Sequence, residues 1–257
     1  MNIAFLSALL PVFLLLIFIY RKDKESPEPI GKLLLTFFVG CLSVIPAGFL
    51  ESVIMLFAPS ADQYPVTNGI FNGYIVAGFS EELCKLVLLL WVIWRSPQFD
   101  EYFDGIVYAA YLSLGFAFVE NVGYVMSSDD TMSTALMRGL LAVPAHFLFA
   151  VMMGYYLSLA KFDPVGRIRH LFMAFLYPML LHGTYDALLM ISDNLSAGRS
   201  NGDMVVGSVC VVLFITFVIF DIRLWKRGLK RIKMMQQRSK EQGFDRQNPF
   251  DGFTWDI

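Results

Sequence analysis

Long apolar runs decide the class of this chain before any motif is considered. Stretches of about 20 predominantly apolar residues recur at roughly 3–20, 33–57, 70–94, 105–126, 134–160, 170–192 and 204–224, each long enough as a helix to cross a hydrocarbon core of about 30 Å. With 56% hydrophobic and only 16% charged residues, a chain of 257 residues lacks the polar surface that a water-soluble domain needs. The expected fold is therefore all-α, a polytopic transmembrane bundle of about seven spans. No soluble domain, internal repeat or low-complexity tract interrupts it.

The first span resembles a secretion signal only superficially. No basic residue precedes it, no small-residue cleavage site follows it, and the basic "RKDK" comes after it, so it reads as a retained anchor. Basic residues then set the orientation. Arg21, Lys22, Lys24, Lys32, Arg95, Lys161, Arg167, Arg169 and eight more after residue 224 fall on one set of connectors and the tail. The opposite connectors hold Arg199, with Arg138 at the edge of a span, which predicts an outside N-terminus and an inside C-terminus. The protein is thus expected in a bacterial-type inner or plasma membrane. Residues 1–224 form the transmembrane unit, and 225–257 a basic cytoplasmic tail. "LWKRGLKRIKMMQQRSK" continues as a basic amphipathic helix suited to an anionic leaflet, with topology anchoring as the blander reading. The last stretch, "GFDRQNPFDGFTWDI", reads as a loose end or a partner-binding segment. Nucleic acid is not expected as a partner. Cys41, Cys84 and Cys210 all fall in spans without CxxC spacing, as packing residues rather than a disulfide framework.

Ionisable groups inside the spans carry the functional information, because each costs on the order of 2.5–3.5 kcal/mol at a helix centre and so faces protein or a wet cavity. They are Glu81, Glu82 and Lys85 in span three, Glu120 beside Asn121 in span four, His146 in span five, and His182 and Asp186 in span six. Glu51 and Arg138 lie nearer span ends, where snorkelling accounts for them. His170 sits at the boundary beside "RIR" and reads as interfacial.

Helical geometry groups these residues. At about 100° per residue Lys85 falls between Glu81 and Glu82 in angle, so one ammonium can serve both carboxylates, and Gly78 leaves room on the same arc. His182 and Asp186 are one turn apart, so the carboxylate can orient the imidazole or both can approach one point. Glu82, Glu120, His146, His182 and Asp186 each lie about 12 to 16 residues from the inner end of their spans, roughly 18–24 Å up. Each has a blander explanation: an ion pair easing insertion for Glu82 and Lys85, a hydrogen-bonded interior histidine for His146, kink and packing roles for Pro144 and Gly154. Shared depth across four helices favours a single buried polar site.

Carboxylates and imidazoles in a water-limited cavity suit proton or ion passage, or activation of water for hydrolysis. In the second case a glutamate deprotonates water while histidines or a bound cation stabilise the oxyanion. A metal set of Glu120, His146, His182 and Asp186 would satisfy zinc in an open catalytic site. The helical HExxH is absent, so the spacing permits a divalent metal without requiring one.

Three segments carry a family resemblance. "EELCK" fits EExxK, "FAFVEN" fits FxxxEN and "HGTYD" fits HxxxD. In this order, with "VPAHFLFAVMMGYY" between the last two, the chain resembles the PrsW family of intramembrane proteases, within the wider CAAX prenyl endopeptidase and Abi superfamily. The likeness covers about residues 70–190. It implies Glu81 as the water-activating residue, with Glu82 beside it, Lys85 as basic partner, and His182 and Asp186 from the last motif. The second motif ends in Glu120 where prenyl endopeptidases carry histidine, and His146 matches the histidine of the PrsW "PAH" segment. By this resemblance the expected catalytic residues are Glu81, Glu82, His146 and His182, supported by Lys85, Glu120, Asn121 and Asp186. The implied substrate is a single-span membrane protein such as an anti-sigma factor, cut on its extracytoplasmic side, by a metallo- or glutamic-type mechanism. The competing readings are a proton-coupled transporter or channel using the same acids as a relay, and a non-catalytic scaffold.

Overall fold

A computed structural model describes residues 3–23, 26–196 and 201–241. The described residues are helical throughout apart from short connectors: α1 (Ile3–Lys22), α2 (Ile30–Met55), α3 (Pro65–Phe71), α4 (Ser80–Ile93), α5 (Asp104–Ser127), α6 (Thr131–Met137), α7 (Val143–Phe162), α8 (Arg167–Ser196) and α9 (Asn201–Glu241). Two π-helical segments, Asn72–Phe79 and Arg138–Ala142, join α3 to α4 and α6 to α7 without a break.

Helices that satisfy their own backbone hydrogen bonds and turn apolar side chains outward are what lipid demands. Leu10, Leu14, Phe38, Ile45, Phe49 and Trp91 stand exposed on the outer surface. Five helical runs are long and apolar enough to cross a membrane: Ile3–Lys22, Ile30–Met55, Asp104–Ser127, Thr131–Phe162 and Arg167–Leu195. The other two expected spans fall in the run from Pro65 to Ile93, whose apolar stretch is broken by Glu81, Glu82 and Lys85, and in α9, whose apolar part is Gly207–Phe220.

The bundle is organised around α5. In its most apolar window 78% of residues are buried inside the protein, against 22% for α1, so α5 is the axis and α1 a lipid-facing flank. α2 and α7 pack on α5, α8 packs on α7, and α9 packs on α8. Tyr108, Leu112, Phe147, Leu89 and Phe99 fill the main core. The three cysteines are free, as expected. α9 runs uninterrupted past residue 224, with Arg223, Lys226, Lys230 and Lys233 exposed and Leu229 packed on the core. The segment "GFDRQNPFDGFTWDI" lies outside the described residues.

Candidate active site

The site forms where α4, α5, α7 and α8 meet, and the local sequence explains the meeting. Gly78 lets α8 approach the start of α4: a Cβ there would stand 2.9 Å from the Met179 carbonyl oxygen and 3.0 Å from the Gly183 amide nitrogen. The room on that arc is therefore filled by the α8 backbone, which brings His182 against Glu82. Pro144 has no N–H to give the preceding turn, and the helix widens into its π segment just before it. π segments of this kind recur beside functional groups; here they flank Glu81 on one side and carry Arg138 on the other.

Lys85 is completely buried and its ammonium lies 2.9 Å from Glu81 Oε2 and 2.8 Å from Glu82 Oε1. One cation thus serves both carboxylates, as the angular argument requires. The same Nζ is 3.3 Å from His146 Nδ1 and 4.0 Å from the centre of the Phe116 ring. That ring is the first residue of FxxxEN, so the motif supplies both a cation-binding face and, one turn on, Glu120. His146 Nε2 meets Glu120 Oε2 at 2.8 Å, and Ser113 donates to the His146 carbonyl oxygen at 3.0 Å. On α8, His182 Nδ1 meets Glu82 Oε1 at 2.9 Å, while Nε2 lies 3.1 Å from Asp186 Oδ2 and 3.8 Å from Glu81 Oε2. The two imidazoles are edge to face with centroids 5.1 Å apart, and His182 stacks on Phe149. A cavity of about 250 Å³ opens onto Glu81, Glu120, His146, His182 and Asp186, with Glu82 and Lys85 behind this lining.

The structure therefore brings together Glu81, Glu82, Lys85, Glu120, His146, His182 and Asp186. Asn121 stands one step back: its Nδ2 donates to the Ala8 carbonyl oxygen at 3.0 Å, and its Oδ1 accepts from Arg138 Nε at 2.8 Å. Arg138 overturns a sequence reading. Its guanidinium does not snorkel outward but pairs with Glu120 Oε2 at 2.8 Å, lies 3.8 Å over the Tyr124 ring, and lines the cavity. Glu51 lines the cavity as well. The available signal for Arg138 was its isolation, since that side of the membrane is otherwise nearly free of basic residues. His170 pairs with Asp163 at 3.1 Å, away from the site.

A metal fits the chemistry of these donors. Glu81, Glu82, His146 and His182 each offer a ligand atom, all within 4.8 Å of one another. Each imidazole has its far nitrogen on a carboxylate, Glu120 or Asp186, the support that metal-binding histidines characteristically have. Glu120 and Asp186 thus stand behind the imidazoles rather than within the four-donor group. The cation those donors hold in the structure is the Lys85 ammonium, which would compete with an ion for Glu82 and His146.

Comparison with known proteins places the chain in a family. The family model for the PrsW family intramembrane metalloprotease matches residues 28–220. The chain is 32% identical to Protease PrsW of Clostridioides difficile over 92% of this chain and 93% of that one. It is 36% identical to Protease PrsW of Geobacillus kaustophilus over 90% and 92%, and 33% identical to that of Bacillus subtilis over 88% and 93%. No solved structure matches. These matches do not favour the transporter reading of the same acids, and with the apolar helices they make the protein a multi-pass peptide hydrolase of the bacterial plasma membrane. The chain belongs to the PrsW family of intramembrane metalloproteases.

Proposed function

We propose that the protein cuts a single-span membrane protein, of the anti-sigma-factor kind, with Glu81 as the general base. The observation that carries this reading is that Glu81 lines the cavity while its neighbour Glu82 does not. Glu81 Oε2 is held by Lys85 at 2.9 Å, and its face toward the cavity is free to take a proton from water. Glu82 locks Lys85 to His182, which fixes the imidazole relative to the base. His146 and His182 line the same cavity, each with its Nε2 held on a carboxylate, Glu120 or Asp186. Zinc is the proposed metal, held by Glu82, His146 and His182 with Glu120 and Asp186 orienting the imidazoles. When bound it would supply a Lewis acid and a lowered pKa for its water.

Seven spans, with an outside N-terminus and an inside C-terminus, are proposed on the distribution of Lys and Arg. In this arrangement residues 1–224 carry the protease and the basic end of α9 rests on anionic lipid.

The test is cleavage of a membrane-anchored candidate by purified protein in detergent, with metal content measured on the same sample. Glu81→Gln is expected to lower kcat by at least about 10³-fold, in the range expected for loss of a base that deprotonates the nucleophile. Cleavage that persists unchanged in this variant would remove Glu81 from the role.

A further inference from the structure

A second group of acids meets at the opposite end of α5, where the α1–α2 and α4–α5 connectors touch. Glu28 is 5% exposed and Asp104 fully buried. One carboxylate oxygen from each of Glu28, Asp100 and Asp104 lies within 4.8 Å of the others. Most of the remaining valences are spoken for. The Tyr108 hydroxyl donates to Glu28 Oε2, and Asp104 Oδ2 accepts the Asp100 N–H at 2.9 Å and the Glu101 N–H at 2.6 Å. Asp104 Oδ1 is the exception: it is buried with no donor, and the group its carboxyl meets is the carboxyl of Glu28, a second acceptor unless a proton or a cation lies between them. Among the described residues neither Glu28 nor Asp104 enters an ion pair. Burial accordingly pushes the Glu28 carboxyl up to about 7.

A buried carboxylate oxygen without a donor, in a group of three carboxylates that among the described residues includes no histidine or cysteine, is a donor set for a hard ion. Oxygens bound to one such ion at about 2.0–2.6 Å lie at most about 4–5 Å apart, which the observed spacing meets. We propose that Glu28, Asp100 and Asp104 bind a divalent cation of the Mg²⁺ or Ca²⁺ class. The ion ties the α1–α2 connector to the α4–α5 connector, and so fixes the ends of four helices at once. The competing occupant is a proton shared between Glu28 and Asp104.

Isothermal titration of the full-length protein in detergent, stripped with chelator and titrated with Mg²⁺, Ca²⁺ or Mn²⁺, decides between them. Saturable binding of about one equivalent is expected to persist in His182→Ala, where the active-site donor set is broken. It should weaken at least tenfold in Asp104→Asn and in Asp100→Asn. Asparagine at 104 keeps an oxygen for the two loop amides, and if that variant does not fold, Asp100→Asn carries the test. Absence of saturable binding by all three ions, or binding unchanged in the folded aspartate variants, overturns the proposal in favour of the shared proton.

Discussion

The two acidic clusters meet one helix, α5, toward its opposite ends, through Glu120 and Asp104, and solve the same electrostatic problem in opposite ways. At the active site the converging carboxylates have charged or imidazole partners: Glu81 and Glu82 share Lys85, Glu120 holds Arg138 and His146, and Asp186 holds His182, all between 2.8 and 3.1 Å. At the other end Glu28 has a tyrosine hydroxyl, Asp104 has two loop amides, and no ion pair reaches either among the described residues. Deep in the membrane the chain must carry its own cations, because solvent ions are remote. Near the end a proton or an ion can arrive from water, so the protein leaves the charge open.

The sharpest way to break this comparison is to remove the cation of the inner cluster. Lys85→Met leaves two carboxylates buried without their shared ammonium and is expected to cost about 3–5 kcal/mol of unfolding free energy. Unfolding in mixed micelles by SDS titration measures it, and the triple variant with Glu81→Gln and Glu82→Gln should recover much of the loss. If Lys85→Met is as stable as the parent, the inner carboxylates do not depend on Lys85 and the contrast between the clusters fails.

Arg138→Leu comes next. Arg138 contacts Glu120 and Asn121, and Glu120 in turn holds His146, so Arg138 is expected to act as a positioning residue for His146. We expect kcat to fall on the order of 10²-fold with KM nearly unchanged, the pattern of a misplaced catalytic group. Arg138→Lys should restore part of kcat, since an ammonium keeps the charge without the second bond to Asn121. A uniform rise in KM would instead make Arg138 a substrate contact.

The difference between Lys85 and Arg138 also marks what was legible in the sequence. Lys85, Glu81 and Glu82 share one helix, and His182 and Asp186 share another, so their relations follow from 3.6 residues per turn. The common depth of the acids and histidines was readable too, because rise per residue is constant. Arg138 escaped because its partner Glu120 is on a different helix and because it stands at the start of a π segment, which no regular period announces. The contact of Glu120 with His146 escaped for the same reason: it forms only once α5 and α7 are packed. Glu28 and Asp104 carry no local signal in the sequence, since nothing near them reveals that Tyr108 and the 100–104 turn meet them.

A smaller effect separates donors from supports within the inner cluster. Asp186→Asn preserves a hydrogen-bonding oxygen toward His182 Nε2 but removes the charge, and Asp186 is partly exposed to the cavity. Loss of a carboxylate behind a metal-binding histidine lowers metal affinity or activity by about 10–100-fold. The lower end is expected here, because Phe149 still stacks on the His182 ring and limits its rotation. A parallel loss of bound metal would assign Asp186 to the support of a metal ligand, and a loss of kcat with metal retained would assign it to proton transfer.

The smallest effect is expected at the outer cluster, and it is the counterpart of the first. Glu28→Gln keeps an oxygen for the Tyr108 hydroxyl while deleting a buried carboxylate that has no ion pair. In chelator, replacing a buried carboxyl that has no ion pair among the described residues with a neutral isostere should leave stability within about 1 kcal/mol of the parent, on the stabilising side. With Mg²⁺ or Ca²⁺ added, the parent should gain stability by mass action and the variant should not. The sign of the difference therefore reverses with the ion present, which Lys85→Met cannot do, because the cation of the inner cluster is part of the chain.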